Sequence, residues 1–147
     1  MKICTHPKCR MMLVCEVGRP YPSPADREEQ MADLSAGAAW MGGKVIPISE
    51  AKIGVTDWGL THSDITYDVV PVRDGGFFRL DDYLDRFHAS MAATHMDVVT
   101  HQGMDRAAIR RALHQMVGAS GLQDAYVAMV ASRGSPSVHG SRDPRDC

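Results

Sequence analysis

The sequence predicts an α+β domain in which two helices pack on a largely antiparallel sheet. Three patterns carry that prediction: a hairpin from Ala38 to Ile46, a strand, turn and strand from Ile65 to Leu80, and two apolar helical stripes beginning near Asp81 and Asp105. A short apolar run from Ala125 to Ala131 completes the sheet.

The 147 residues suit one domain with one sizeable core. A formal net charge of -2 gives no electrostatic footprint for nucleic acid or an anionic membrane. No stretch is long and apolar enough to be read as a transmembrane span.

Residues 1–37 read as a poorly ordered leader. Pro20, Pro22 and Pro24 interrupt it, and no apolar period survives. The apolar piece from Met11 to Cys15 runs straight into Glu16 and lacks a cleavage site, so export is not expected and the location read from the chain is the cytoplasm. Cys4, His6, Cys9 and Cys15 are of the types that ligate zinc, but their spacing fits no usual knuckle and no metal site is assigned.

From Ala38 the pattern changes. Ala39-Trp40-Met41, Gly42-Gly43 and Lys44-Val45-Ile46 form a hairpin with a two-residue glycine turn, closed by Pro47. Glu50 to Asp57 reads as loop or short strand. β-branched and aromatic residues from Ile65 to Val72 make the next strand, Asp74-Gly75-Gly76 its turn, and Phe77 to Leu80 the return.

Asp81 and Asp82 then suit the positive end of a helix whose stripe is Leu80, Leu84, Phe87 and Met91. Val98 to Gly103 breaks the period. A second helix from Asp105 to Ala119 buries Ile109, Leu113, Met116 and Val117, turns Arg106, Arg110 and Arg111 to solvent, and stops at Gly121. The glycines and prolines of 132–147 mark loop.

Several spaced segments agree with one family. Gly43-Lys44-Val45-Ile46-Pro47, Asp57-Trp58-Gly59, His62-Ser63-Asp64, Asp74-Gly75, Phe78-Arg79-Leu80-Asp81-Asp82 and Leu84-Asp85-Arg86 together resemble the small domain of class IV (fold type IV) aminotransferases. These pyridoxal-phosphate enzymes include branched-chain, D-amino-acid and (R)-amine transaminases, and the likeness is greatest to the (R)-amine branch. The resemblance divides the chain into the leader, a small domain over 38–132 and a truncated interdomain loop over 133–147.

The resemblance implies roles residue by residue. Arg86 would hold the phosphate of pyridoxal 5'-phosphate; the residues alone equally allow an ion pair with Asp82 at i, i+4. His62, Tyr67 and Val69 would line the substrate pocket, although a sheet tyrosine is often core and a loop histidine often solvated. Ala128 and His139 stand where relatives carry charged substrate contacts, and Arg133 either binds an anion or is structural. The implied substrates are an amine or amino acid and a keto acid, in a homodimer.

No catalytic residue is assigned, because the Schiff-base lysine of the family belongs to a larger second domain. Lys2, Lys8, Lys44 and Lys52 all precede Arg86. The chain by itself is therefore expected to be inactive. Two alternatives share these residues: an aminodeoxychorismate lyase on the same small domain, and a non-catalytic α+β binding module.

Overall fold

The computed structural model describes residues 10–16, 34–96, 98–138, 140–143 and 147. Its strands are β1 (Arg10–Glu16), β2 (Gly37–Met41), β3 (Lys44–Pro47), β4 (Ile65–Arg73), β5 (Gly76–Phe77) and β6 (Ala125–Ser132). The helices are α1 (Trp58–Thr61), α2 (Leu80–Ala93), α3 (Val98–Gln102) and α4 (Arg106–Ser120). The strands form one antiparallel sheet in the order β3-β2-β1-β6-β4-β5.

Strand alternation sorts the residues onto two faces. Leu13 of β1, Trp40 of β2, Val70 of β4 and Met129 of β6 point to one side, where α2 and α4 lie and the core forms. The predicted stripes of both helices are all buried there. Asp105 caps α4 by accepting the Ala108 N–H at 2.7 Å, and Gly121 ends it at φ 68. Replacing Asp105 by alanine should cost about 1 kcal/mol, read as a lower urea midpoint with unchanged slope.

Four expectations are corrected. Residues 10–16 are not leader but the strand that joins β2 to β6, with Leu13 beside Trp40 and Met129. The return strand after the Asp74 turn is only Gly76–Phe77, because Arg79 adopts a left-handed φ of 49 and α2 begins at Leu80. Val98–Gln102 forms a short helix rather than a break. Arg106 and Arg110 do not simply face solvent: both donate to Asp81, and Arg106 also to Asp85, tying α4 to α2.

Cys15, grouped by sequence with the N-terminal cysteines, lies in the core, where burial raises its thiol pKa. Cys4, His6 and Cys9 lie outside the described residues. Among the described residues no helix is long and apolar enough to cross a membrane.

Candidate functional site

The face of the sheet away from α2 and α4 carries the candidate site. Alternation puts Tyr67, Val69 and Pro71 of β4 on it, opposite Val130, Ala128 and Tyr126 of β6. Val69 and Ala128, both expected at the substrate, are direct cross-strand partners, and Tyr67 is 69% exposed beside them. Val14 of β1 pairs with Ala128 on its other side, so the small apolar floor continues across three strands. At the far end the Arg73 guanidinium lies 5.4 Å from the centre of the Tyr126 ring.

The near end of this face is built by α1. Asp57 is buried at 1% exposure and accepts both the Gly59 N–H at 2.7 Å and the Ser132 hydroxyl. Trp58 N–H donates to the Gly134 carbonyl at 2.9 Å, so α1 is held against the end of β6. A side chain at Gly59 would overlap the Ser132 Oγ, which is why glycine follows Trp58. His62 closes the helix with its ring 4.5 Å from that of Trp58 and its Nδ1 2.8 Å from the Thr61 hydroxyl. It is thus an exposed but oriented imidazole.

Arg86 approaches β4 from the helix side, at the strand's outer edge. From Ile65 to Val70 the outer edge of β4 pairs with no strand among the described residues, since β5 covers only Val72 and Arg73. Arg86, on α2, donates from Nε to Asp68 Oδ2 at 2.6 Å and from Nη2 to Asp68 Oδ1 at 2.5 Å. The same Oδ1 accepts the Val69 N–H at 2.8 Å. One carboxylate oxygen therefore links the arginine on the helix side to the backbone of a residue on the open face.

The Arg86 side chain remains 64% exposed, while Asp68 is 8% exposed. Its local rival for Arg86, Asp82, pairs instead with Arg79. The Arg86 hydrogen bonds, opposed by partial burial and helped by the Val69 N–H, hold the Asp68 carboxyl below the usual carboxylate range. Asp68 keeps the guanidinium pKa above its ordinary value, so both partners are charged across the physiological range.

Arg133 is placed differently from the other substrate candidates. Its side chain is 7% exposed and donates to both Asp64 oxygens, at 2.8 and 3.1 Å. It also donates to the carbonyls of Thr94 and His95, at 2.7 and 3.0 Å. These contacts spend its donors on the C-terminal turn of α2 and the start of β4. His139 lies outside the described residues.

Acid should weaken the fold in two steps. His88 borders a cavity of about 300 Å3 between the end of α2 and α3, and burial, partly offset by Asp105, pushes its imidazole pKa down. Its unfolded form binds a proton first, so stability is full above about pH 6.5 and declines as pH falls towards the lower folded value. Asp68 adds a second decline below about pH 4, as pH drops through its depressed folded pKa. Urea midpoints measured from pH 7 to pH 3 should lose the first step in His88→Leu and the second in Asp68→Asn.

Residues 66–146 match the family described as Amino-transferase class IV. The chain belongs to that family. This class IV aminotransferase chain is 28% identical over 109 residues to a putative branched-chain-amino-acid aminotransferase of Methanocaldococcus jannaschii, covering 74% of this chain and 35% of the relative. It is 30% identical over 94 residues to branched-chain-amino-acid aminotransferase-like protein 1 of Arabidopsis thaliana, covering 64% of this chain and 16% of that protein.

A fold IV-transaminase of Curtobacterium pusillum superposes with a TM-score of 0.44 at 15% identity, over 82% of this chain and 42% of the other. The class IV aminotransferase chain thus spans less than half the length of each of these proteins. The α+β architecture with an antiparallel sheet agrees with the fold class expected from sequence.

Proposed function

We propose that this chain supplies the phosphate-holding arginine and part of the substrate wall of a pyridoxal-phosphate-dependent aminotransferase. The enzyme would move an amino group between an amine or amino acid and a keto acid. The observation that carries the reading is the exposed Arg86 guanidinium at the open edge of β4, bridged through Asp68 to the strand that presents Tyr67 and Val69. Its residues fit the cofactor's phosphate: Arg86 is permanently charged, and Nη1 has no partner among the described residues.

Bound pyridoxal phosphate supplies an electron sink for charge that develops at the substrate carbon. The chain's own residues would do the rest of the positioning. Arg86 holds the phosphate, Tyr67, Val69 and Ala128 exclude water from an apolar substituent, and His62 offers a hydrogen bond at the α1 end. With Arg133 spent on Asp64, this floor favours an amine with an apolar substituent over one that must also place a carboxylate. The amine that carries the cofactor and moves the proton is not assigned here: Lys44 lies at the opposite edge of the sheet in β3, and Lys52 in the exposed loop before α1.

We assign those steps to a larger domain, in a cytoplasmic homodimer. The test is purified chain with an (R)-amine, pyruvate and pyridoxal phosphate, together with binding of 4-deoxypyridoxine 5'-phosphate, which carries the phosphate but no aldehyde. The expected outcome is no amine-dependent alanine, with binding of the analogue that Arg86→Ala removes. Alanine formation by the chain alone would show that one of its own groups performs the proton transfer, and binding indifferent to Arg86→Ala would remove the phosphate role.

A further inference from the structure

Arg86 is fixed in place by two contacts that lie on different elements. Asp68 of β4 engages Nε and Nη2, which form one side of the planar guanidinium. The guanidinium carbon lies over the ring of Tyr83, three residues earlier on α2, 4.9 Å from its centre. Of the five N–H donors of an arginine, the two spent on Asp68 leave three, and two of these point in parallel from the Nη1 and Nη2 end. That end is the fork that matches two oxygens of a phosphate.

We propose that Asp68 and Tyr83 are positioning residues that hold Arg86 with its terminal fork open to a phosphate monoester. The proposal rests on the phosphate reading of Arg86 and extends it to residues that do not touch the ligand. An arginine on an exposed helix face otherwise samples many rotamers, and ordering it on binding costs affinity. Here the carboxylate fixes the plane's edge and the ring fixes its tilt before any ligand arrives. Asp68 is itself held by the Val69 N–H, so the orientation is referred to the sheet rather than to the helix alone.

The Asp68 carboxylate is an anion near the place where a phosphate would sit, and it repels that phosphate. It lies along the neighbouring edge of the guanidinium, with Nη2 shared between that edge and the fork, so both anions stay in contact with the arginine's charge, and the fork itself opens to solvent where repulsion is screened. Orientation is therefore expected to win over repulsion.

The experiment measures dissociation constants of the 147-residue chain for 4-deoxypyridoxine 5'-phosphate and for unphosphorylated 4-deoxypyridoxine. Asp68→Asn and Tyr83→Leu should each weaken the phosphorylated probe about 10-fold, the scale of freeing one long side chain, and leave the unphosphorylated one unchanged. Tyr83→Phe, which keeps the ring, should bind like the parent.

A second readout follows the Arg86 Nε–H by nitrogen-15 NMR. Slow hydrogen exchange in the parent that becomes fast in Asp68→Asn supports the restraint. If Asp68→Asn prevents folding, the Tyr83 pair of variants decides. Unchanged or tighter phosphate binding in Asp68→Asn and Tyr83→Leu, while Arg86→Ala still abolishes it, overturns the positioning role alone. Binding that survives Arg86→Ala overturns the underlying phosphate reading as well.

Discussion

Leu13→Asp should leave a chain with no cooperative unfolding transition. Leu13 is completely buried, with Trp40 beside it on β2 and Met129 on β6. Truncating a buried leucine alone costs about 2–5 kcal/mol, and a carboxylate forced into the same apolar site adds a desolvation penalty. Against a total stability of about 5–15 kcal/mol, the sum is enough to unfold the domain.

The consequence is larger than one side chain because of where β1 sits. It is the strand through which the β2–β3 hairpin joins the β6–β4 pair, so losing it divides the sheet. Met12→Ser provides the control. Met12 points to the other face and is only partly buried, so that variant should melt cooperatively close to the parent. Circular dichroism melts of both distinguish the cases; a Leu13→Asp chain melting within a few degrees of the parent would show that residues 10–16 are not part of the sheet.

That strand was the part of the fold least legible in the sequence. Met11 to Cys15 is apolar at every position, because β1 is covered by helices on one face and contributes Met12 and Val14 to the floor of the other. Such a run shows no alternation to distinguish a strand from an unstructured apolar piece. The prolines that follow then favour reading it as leader. Its partners are also remote: β2 begins some twenty residues on and β6 more than a hundred, so no local turn signal announces the pairing.

The helices were legible for the opposite reason. Leu80, Leu84, Phe87 and Met91 repeat within one element, as do Ile109, Leu113 and Met116, and each stripe is set by local geometry. The site followed the same division. Tyr67 and Val69 could be put on one face by alternation, whereas the partner of Arg86 could not be found. The i, i+4 rule points to Asp82, but the carboxylate that binds Arg86 is Asp68, on a different element 18 residues earlier. An acidic residue at a core-facing strand position, between Thr66 and Val70 in the alternation, was the one available signal.

Arg133→Met should lower stability by about 3–5 kcal/mol, the range for breaking a buried ion pair by removing one partner. For a domain of this size the fall in Tm is roughly 6–20 °C. The loss comes from three places at once: Asp64 keeps a partly buried charge without its cation, and the Thr94 and His95 carbonyls lose their donors at the end of α2. Asp64→Asn should be less damaging than Arg133→Met, and the double variant should cost less than the two singles added, because the pair is one unit.

An arginine waiting on the surface for a substrate carboxylate behaves otherwise. Its replacement shifts stability within about 0.5 kcal/mol and weakens only the binding of anionic ligands. Thermal melts and the double-mutant cycle therefore decide what Arg133 is for. A large, coupled loss of stability makes it the tie between β4, α2 and β6. Arg133 is then held within the fold and is not the arginine that would meet a carboxylate on the open floor.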